Sequence, residues 1–326
     1  MSKKYEYNSI FAQPIQDYIA QKRALGLKYD KESSIFYTFD RFLIENDVNA
    51  PTLSKEMVEA WTMHRPNEKR KNQRYRLNFT KRFVVYLQQN GYSAYFPAVK
   101  ITTRDDNDFV PYVFTNDELA KLFGYFDSMN SSRQYPNGYL VLPLLFRTLV
   151  CCGLRVSEAV KLRIGDVDLE RGVLLILAAK NNKKRYVPLS ESLLLEYRRF
   201  ASVVHGNAEP DDYFFPNARN NAHSTTAIYE YFREALWRCH IQHKGRGYGP
   251  RVHDLRHTFA VHCMMKFEKD KKDIVLALPY LSLYLGHCDM TKTQKYLRLV
   301  ADCYPEVIEK QSEYLGETIP VLEGAE

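Results

Sequence analysis

No Cys-x-x-Cys pair occurs among the six cysteines of this chain, and nothing in their placement reads as a disulfide framework. Cys151 and Cys152 are adjacent within an apolar run and read as reduced, buried thiols. That run, residues 139–154, is interrupted by Pro143 and Arg147 and is too short to cross a bilayer, so it is expected to be a buried core helix. No membrane partner is expected. The opening residues Met1-Ser2-Lys3-Lys4-Tyr5 lead into a polar segment without the apolar core of a secretory signal, and a cytoplasmic, nucleoid-associated location is expected. No internal repeat or low-complexity tract is evident. The charge excess is small: 46 Lys and Arg against 39 Asp and Glu give +7, which permits nucleic-acid binding without demonstrating it. What remains is a globular chain of 326 residues with 45% apolar content, long enough for one large domain or two ordinary ones.

The first hundred residues read as four helices. Ile10, Phe11, Ile15, Tyr18 and Ile19 recur at helical spacing up to Gly26, and Ile35, Phe36, Phe39, Phe42 and Leu43 make a second face. Ser54 is placed to cap a short third helix through Met57, Val58 and Trp61. The fourth is basic: Arg65, Lys69, Arg70, Lys71, Arg74, Arg76, Lys81 and Arg82 stand against Glu68, interleaved with Tyr75, Phe79, Phe83 and Tyr86 and closed by Gly91. Arg70, Lys71, Arg74, Lys81 and Arg82 are the expected DNA contacts; a merely solvated charged helix is the plainer alternative. Pro97 and Pro111 flank a polar stretch, and a linker is expected at 101–111 between domains at 1–100 and 112–300. Beyond it, Thr115-Asn116-Asp117-Glu118 is a capping box. Val173-Leu174-Leu175-Ile176-Leu177 and Arg185-Tyr186-Val187-Pro188 read as a hairpin turning at Asn181-Asn182. Helices are expected near 190–204, 225–240, 254–267, 273–285 and 292–298, so the fold class is mainly α with a small β-sheet.

Six residues carry chemistry suited to a phosphodiester: Arg155, Lys180, His253, Arg256, His287 and Tyr296. Guanidinium groups answer the charge that builds on non-bridging oxygens, and Arg155 and Arg256 are the candidates. Arg155 follows Gly153 at a helix start, where backbone N–H groups also favour anions. His253 lies three residues before Arg256, on the same helix face. Arg155 pairing with the nearby Glu158 is the structural alternative. A tyrosine hydroxyl is a poor nucleophile at neutral pH without a proton acceptor or positive surroundings. Tyr296 lies nine residues after His287; on one straight helix the two would face opposite ways, so a break at Cys288-Asp289-Met290 and a capped restart at Thr291-Lys292-Thr293-Gln294 are expected. Lys180, at the hairpin tip, is placed to protonate a leaving oxygen, with Lys183, Lys184 and Arg185 as competitors and DNA contacts.

These segments resemble the tyrosine recombinases of the phage-integrase family over about residues 110–300. Gly153-Leu154-Arg155-Val156-Ser157-Glu158 resembles the first arginine box. The stretch from Lys180 to Leu189 resembles the β-hairpin lysine segment, with Asn181-Asn182 where many relatives have glycine. His253-Asp254-Leu255-Arg256-His257 resembles the second box, and Leu285-Gly286-His287 with Tyr296 the third box and nucleophile. The resemblance implies a helical core-binding (SAM-like) N-terminal domain and a mixed α/β catalytic domain. It implies a 3′-phosphotyrosine intermediate and a Holliday junction, paired half-sites in double-stranded DNA, a homotetramer, an accessory directionality factor and service to a mobile element. No metal, ATP or other cofactor is implied. It places the tail, 301–326, on an adjacent protomer. Three other readings bear on the same residues. One is a type IB topoisomerase. Another is a DNA-binding protein without catalysis. The third is a zinc hydrolase using the His253/His257 pair, for which Asp254 is a poor stand-in for glutamate and no third ligand follows.

Overall fold

Helices with aromatic inner faces build the first part of the chain. The computed structural model describes residues 5–102, 110–177, 184–243, 245, 249–286 and 293. The chain divides into two compact units, Met1–Phe109 and Val110–Glu326. In the first, α1 (Ala12–Ala24) and α2 (Asp30–Glu45) lead into a two-residue strand β1 (Thr52–Leu53). Next come α3 (Lys55–Thr62), α4 (Arg70–Gln89) and β2 (Ser93–Ala94). Ser54 caps α3, its hydroxyl accepting the Met57 N–H at 3.3 Å. β1 and β2 pair in parallel, Leu53 opposite Ala94. Phe11, Ile15, Tyr18, Phe36, Phe39, Trp61, Phe79, Phe83 and Leu87 form the core. The Trp61 indole N–H donates to the Thr80 hydroxyl at 3.0 Å, fixing α3 on α4.

The basic helix α4 is two-sided. Arg76 turns inward, 2.6 Å from Glu68, and donates to the Met63 carbonyl at 2.8 Å. Arg70, Lys71, Arg74 and Arg82 are exposed. Lys81 departs from its expected outward role: it is half-buried and its ammonium donates to the Val99 carbonyl at 2.7 Å.

The second unit opens with α5 (Asn116–Asp127), whose Thr115/Glu118 capping box is complete. Then come α6 (Gly138–Cys151), a single-turn α7 (Val156–Ala159), β3 (Val167–Asp168), β4 (Val173–Leu177) and β5 (Lys184–Pro188). The unit's described helices end with α8 (Glu191–Val204), α9 (Thr225–Arg238), α10 (Val252–Lys269) and α11 (Ile274–Leu285). The sheet order is β3-β4-β5, antiparallel throughout, with Ile176 opposite Arg185 and Leu177 opposite Lys184. α6 is the buried helix expected from its apolar run, and Phe126 of α5 stacks on its Phe146 at 4.1 Å. One detail differs: Cys152 is buried, but Cys151 is exposed. Successive residues on a helix point about 100° apart, so a helix end seldom buries both. α10 is anchored by Thr258, whose hydroxyl accepts the Phe114 N–H at 3.0 Å and donates to the Asp254 carbonyl at 2.9 Å.

Candidate active site

The site begins where α6 stops. Gly153 has φ +58° and its α-carbon faces the Phe259 ring of α10, so the turn needs both a left-handed backbone and no side chain. Leu154 is buried, and the chain then starts α7 with Arg155 as its N-cap residue. The carbonyl of Gly153 accepts a hydrogen bond from Arg256 at 2.9 Å.

Arg256 lies on the inward face of α10, its side chain 1% exposed. A guanidinium so placed must be bonded or it is costly. Its second terminal nitrogen donates to the carbonyl of Leu285, and it stands 3.9 Å from Glu158. Arg155 is 35% exposed. It donates to Glu158 Oε1 at 2.7 Å and to the Gly286 carbonyl at 3.2 Å. The two arginines therefore hold consecutive carbonyls, Leu285 and Gly286, directly before His287.

Glu158 is the centre of the cluster. Besides the Arg155 side chain it accepts the Arg155 backbone N–H at 3.0 Å, and it accepts both terminal nitrogens of Arg185, at 3.0 and 2.7 Å. Burial alone would raise its carboxyl. The hydrogen bonds and charge of Arg185, then those of Arg155, outweigh that and hold it at about 2. With three guanidinium groups around one carboxylate, the pocket keeps a positive excess suited to an oxyanion. Glu158 also occupies the start of α7, so the expected attraction of that helix end for an incoming anion is already answered by the protein's own carboxylate.

His253 sits one turn before Arg256, its outer edge exposed. Dense surroundings, then the positive charges of His257 and Arg256, hold its pKa at about 4, so the ring is neutral at neutral pH. Its ring meets that of His257 edge-on at 4.8 Å. Asp254 between them is fully buried, bonded to Arg251 at 2.9 Å and capping α10. Its carboxylate is buried and engaged by Arg251, which argues against it as the base that the zinc reading requires.

Arg185 differs from the expected DNA contact. It is 11% exposed and faces inward. Strand alternation explains this: Arg185 shares its face of β5 with buried Val187, while Lys184 and Tyr186 are exposed on the other. Lys180, Lys183, His287 and Tyr296 lie outside the described residues, as do the Asn181-Asn182 turn, most of the 101–111 linker, all but Thr293 of the 292–298 helix and the 301–326 tail.

Residues 113–302 match the model of the phage integrase family, a span holding all six candidate catalytic positions. The chain belongs to the phage integrase family. It is a tyrosine recombinase, an enzyme of site-specific DNA recombination. A tyrosine recombinase of Pseudothermotoga lettingae is 28% identical over 268 residues, covering 79% of this chain and 82% of that one. Tyrosine recombinase XerD of Pseudomonas putida is 26% identical over 268 residues, with the same two shares. The Tn1549 transposon integrase, solved in complex with transposon right-end DNA, shares the fold with a TM-score of 0.62. It is 15% identical, covering 87% of this chain and 94% of that one.

For a tyrosine recombinase the informative surprise is Arg185. Its signal was present in the sequence, in the phase of Lys184-Arg185-Tyr186-Val187: whichever face took the valine into the core took the arginine with it. No comparable signal marks the Leu285 and Gly286 carbonyls, because backbone acceptors carry no sequence label. No helix among the described residues is long and apolar enough to cross a membrane.

Proposed function

We propose that this recombinase cuts and rejoins double-stranded DNA at paired half-sites through a covalent bond between Tyr296 and the 3′-phosphate. The observation that carries the reading is the convergence of Arg155 and Arg256 on the carbonyls of Leu285 and Gly286. It brings the two arginine boxes to the residue that precedes His287. Arg155 and Arg256 stabilise the non-bridging oxygens of the scissile phosphate, and Glu158 orients them. Tyr296 attacks phosphorus, with neutral His253 as the proton acceptor and His287 bonding the same phosphate. The 5′-oxygen departs with a proton from Lys180. The freed 5′-hydroxyl of one strand then attacks the phosphotyrosine of its partner, and two such exchanges pass through a Holliday junction. The phosphodiester energy is kept in the protein–DNA bond, so neither ATP nor a metal enters the cycle.

Exposed Arg70, Lys71, Arg74 and Arg82, with Lys183 and Lys184 of the hairpin, supply phosphate contacts. The active assembly is a homotetramer whose tails, 301–326, dock on neighbouring protomers. The biological task is integration and excision of a mobile element, with an accessory protein setting direction; the Tn1549 integrase of similar fold, solved on transposon DNA, supports this choice.

The test is a DNA half-site nicked near the cleavage point, which traps the covalent product on a denaturing gel. Wild type should give the adduct. Tyr296→Phe should bind the same DNA and give none; an adduct formed by Tyr296→Phe would refute the assignment, and relaxation of supercoiled DNA lacking any paired site would favour a topoisomerase.

A further inference from the structure

We infer that Arg185 is a positioning residue of the recombination site, whose guanidinium fork saturates Glu158 and so leaves Arg155 and Arg256 available to the scissile phosphate. The inference rests on the recombinase reading above.

A carboxylate has about four acceptor sites. Glu158 uses them on the Arg155 side chain, the Arg155 backbone N–H and two bonds from Arg185. Arg256 stands 3.9 Å away as an ion-pair neighbour, and two of its bonds go to the Gly153 and Leu285 carbonyls. Take Arg185 away, and a buried anion with two open acceptor sites remains between the two arginines that the reaction needs. Arg256 would be drawn onto it beside Arg155, which already bonds it, and the positive excess facing the phosphate would fall from two charges to one.

The geometry gives Arg185 a second reach. A β-carbon at position 286 would come within 3.1 Å of its Nη1, so its guanidinium packs against Gly286, whose φ of +63° favours glycine. Gly286 also takes the bond from Arg155 and precedes His287. Arg185 thus touches the support of the first arginine box and the approach to the third, from a strand anchored in the core by Val187. A rigid planar fork suits this use; a lysine offers one point charge on a flexible stem.

The test compares wild type, Arg185→Gln, Glu158→Gln and the double variant. Three quantities are read: single-turnover cleavage of the nicked half-site, half-site affinity, and melting temperature. Arg185→Gln should bind DNA within about threefold of wild type and cleave roughly tenfold to a hundredfold more slowly, the scale seen when a supporting partner is lost. Adding Glu158→Gln should restore about tenfold of that loss, because the uncompensated anion is gone, giving a large non-additivity. A purely structural role predicts that the double variant is slower than either single one. Wild-type cleavage by Arg185→Gln, or additive losses in the double variant, overturns the inference. Should Arg185→Gln fail to fold, Arg185→Lys carries the test: slowed cleavage with retained affinity supports the fork, and wild-type cleavage refutes it. Covalent adduct formation by wild type and its absence in Tyr296→Phe, run alongside, report on the recombinase reading separately.

Discussion

The buried guanidinium of Arg256 donates to the carbonyl of Leu285, the last residue of α11. One side chain therefore serves two purposes. It closes the end of one helix and the turn after another, and it presents positive charge to the site. Arg155 has the same chemistry with far more exposure, so the two should respond differently to truncation.

Arg155→Ala and Arg256→Ala should each slow cleavage by roughly a hundredfold or more, the scale of losing a preorganised oxyanion partner. Only Arg256→Ala should also lower the melting temperature strongly. It strands the carbonyls of Gly153 and Leu285, each at about 1–3 kcal/mol. Calorimetry beside single-turnover assays separates the two; equal stability of the variants would contradict the buried role of Arg256.

Gly153→Ala should destabilise the second unit by about 1–3 kcal/mol for the left-handed backbone alone, with a further loss from collision with the Phe259 ring. Urea melts read this directly. Phe259→Ala in the same background should relieve part of the clash. A Gly153→Ala protein as stable as wild type would show that the turn tolerates a side chain.

On α4, neighbouring arginines should give opposite signatures. Arg74→Ala and Arg82→Ala, both exposed, should reduce the slope of log affinity against log salt by about one each while leaving stability unchanged. Arg76→Ala should instead lower stability, because the Met63 carbonyl loses its donor and the half-buried Glu68 its ion pair. Salt titrations of half-site binding and melts of the same proteins distinguish them. A stability loss confined to Arg74→Ala would reverse the assignment of faces.

Acid should weaken the fold in two adjoining steps. His253 and His257 are both held at about 4, chiefly by crowded surroundings and then by neighbouring positive charge. Unfolded imidazoles take up protons near pH 6.5, whereas the folded ones do so only near 4, so stability falls as pH drops through that interval. Glu158, held at about 2, adds stability above the unfolded value near 4.3 that is lost as pH falls from there towards 2. Melting temperatures at pH 7.5, 6 and 5 should decline steadily, and His257→Gln should flatten the decline. A flat profile from 7.5 to 5 would contradict the depressed histidines.

Much of this arrangement was readable beforehand where signals are local. The Thr115/Glu118 cap, the apolar α6 and the β4–β5 hairpin depend on neighbours within a few residues, and each formed as its pattern required. Features set by distant partners were not readable. The β1–β2 pair joins two-residue segments with no periodicity to reveal them. Arg76 belongs to the basic stretch by charge, while its helical phase puts it with Leu77 and Thr80 inside α4. Arg185 was assigned by sign of charge when its strand position decided the matter. In the site, residue types were legible, while the sharing of Glu158 was not, because a sequence lists donors without saying which acceptor they meet.

The bonds that assemble the pocket span long stretches of chain: Arg256 to Gly153 across 103 residues, and Arg155 to Gly286 across 131. Contacts so remote in sequence close late in folding, after the loops between them have been ordered. A chain still emerging from the ribosome, or one opened by heat, carries both arginines but has nothing to focus them. Completion of the fold and assembly of the candidate site are therefore one event, since each depends on the same two bonds.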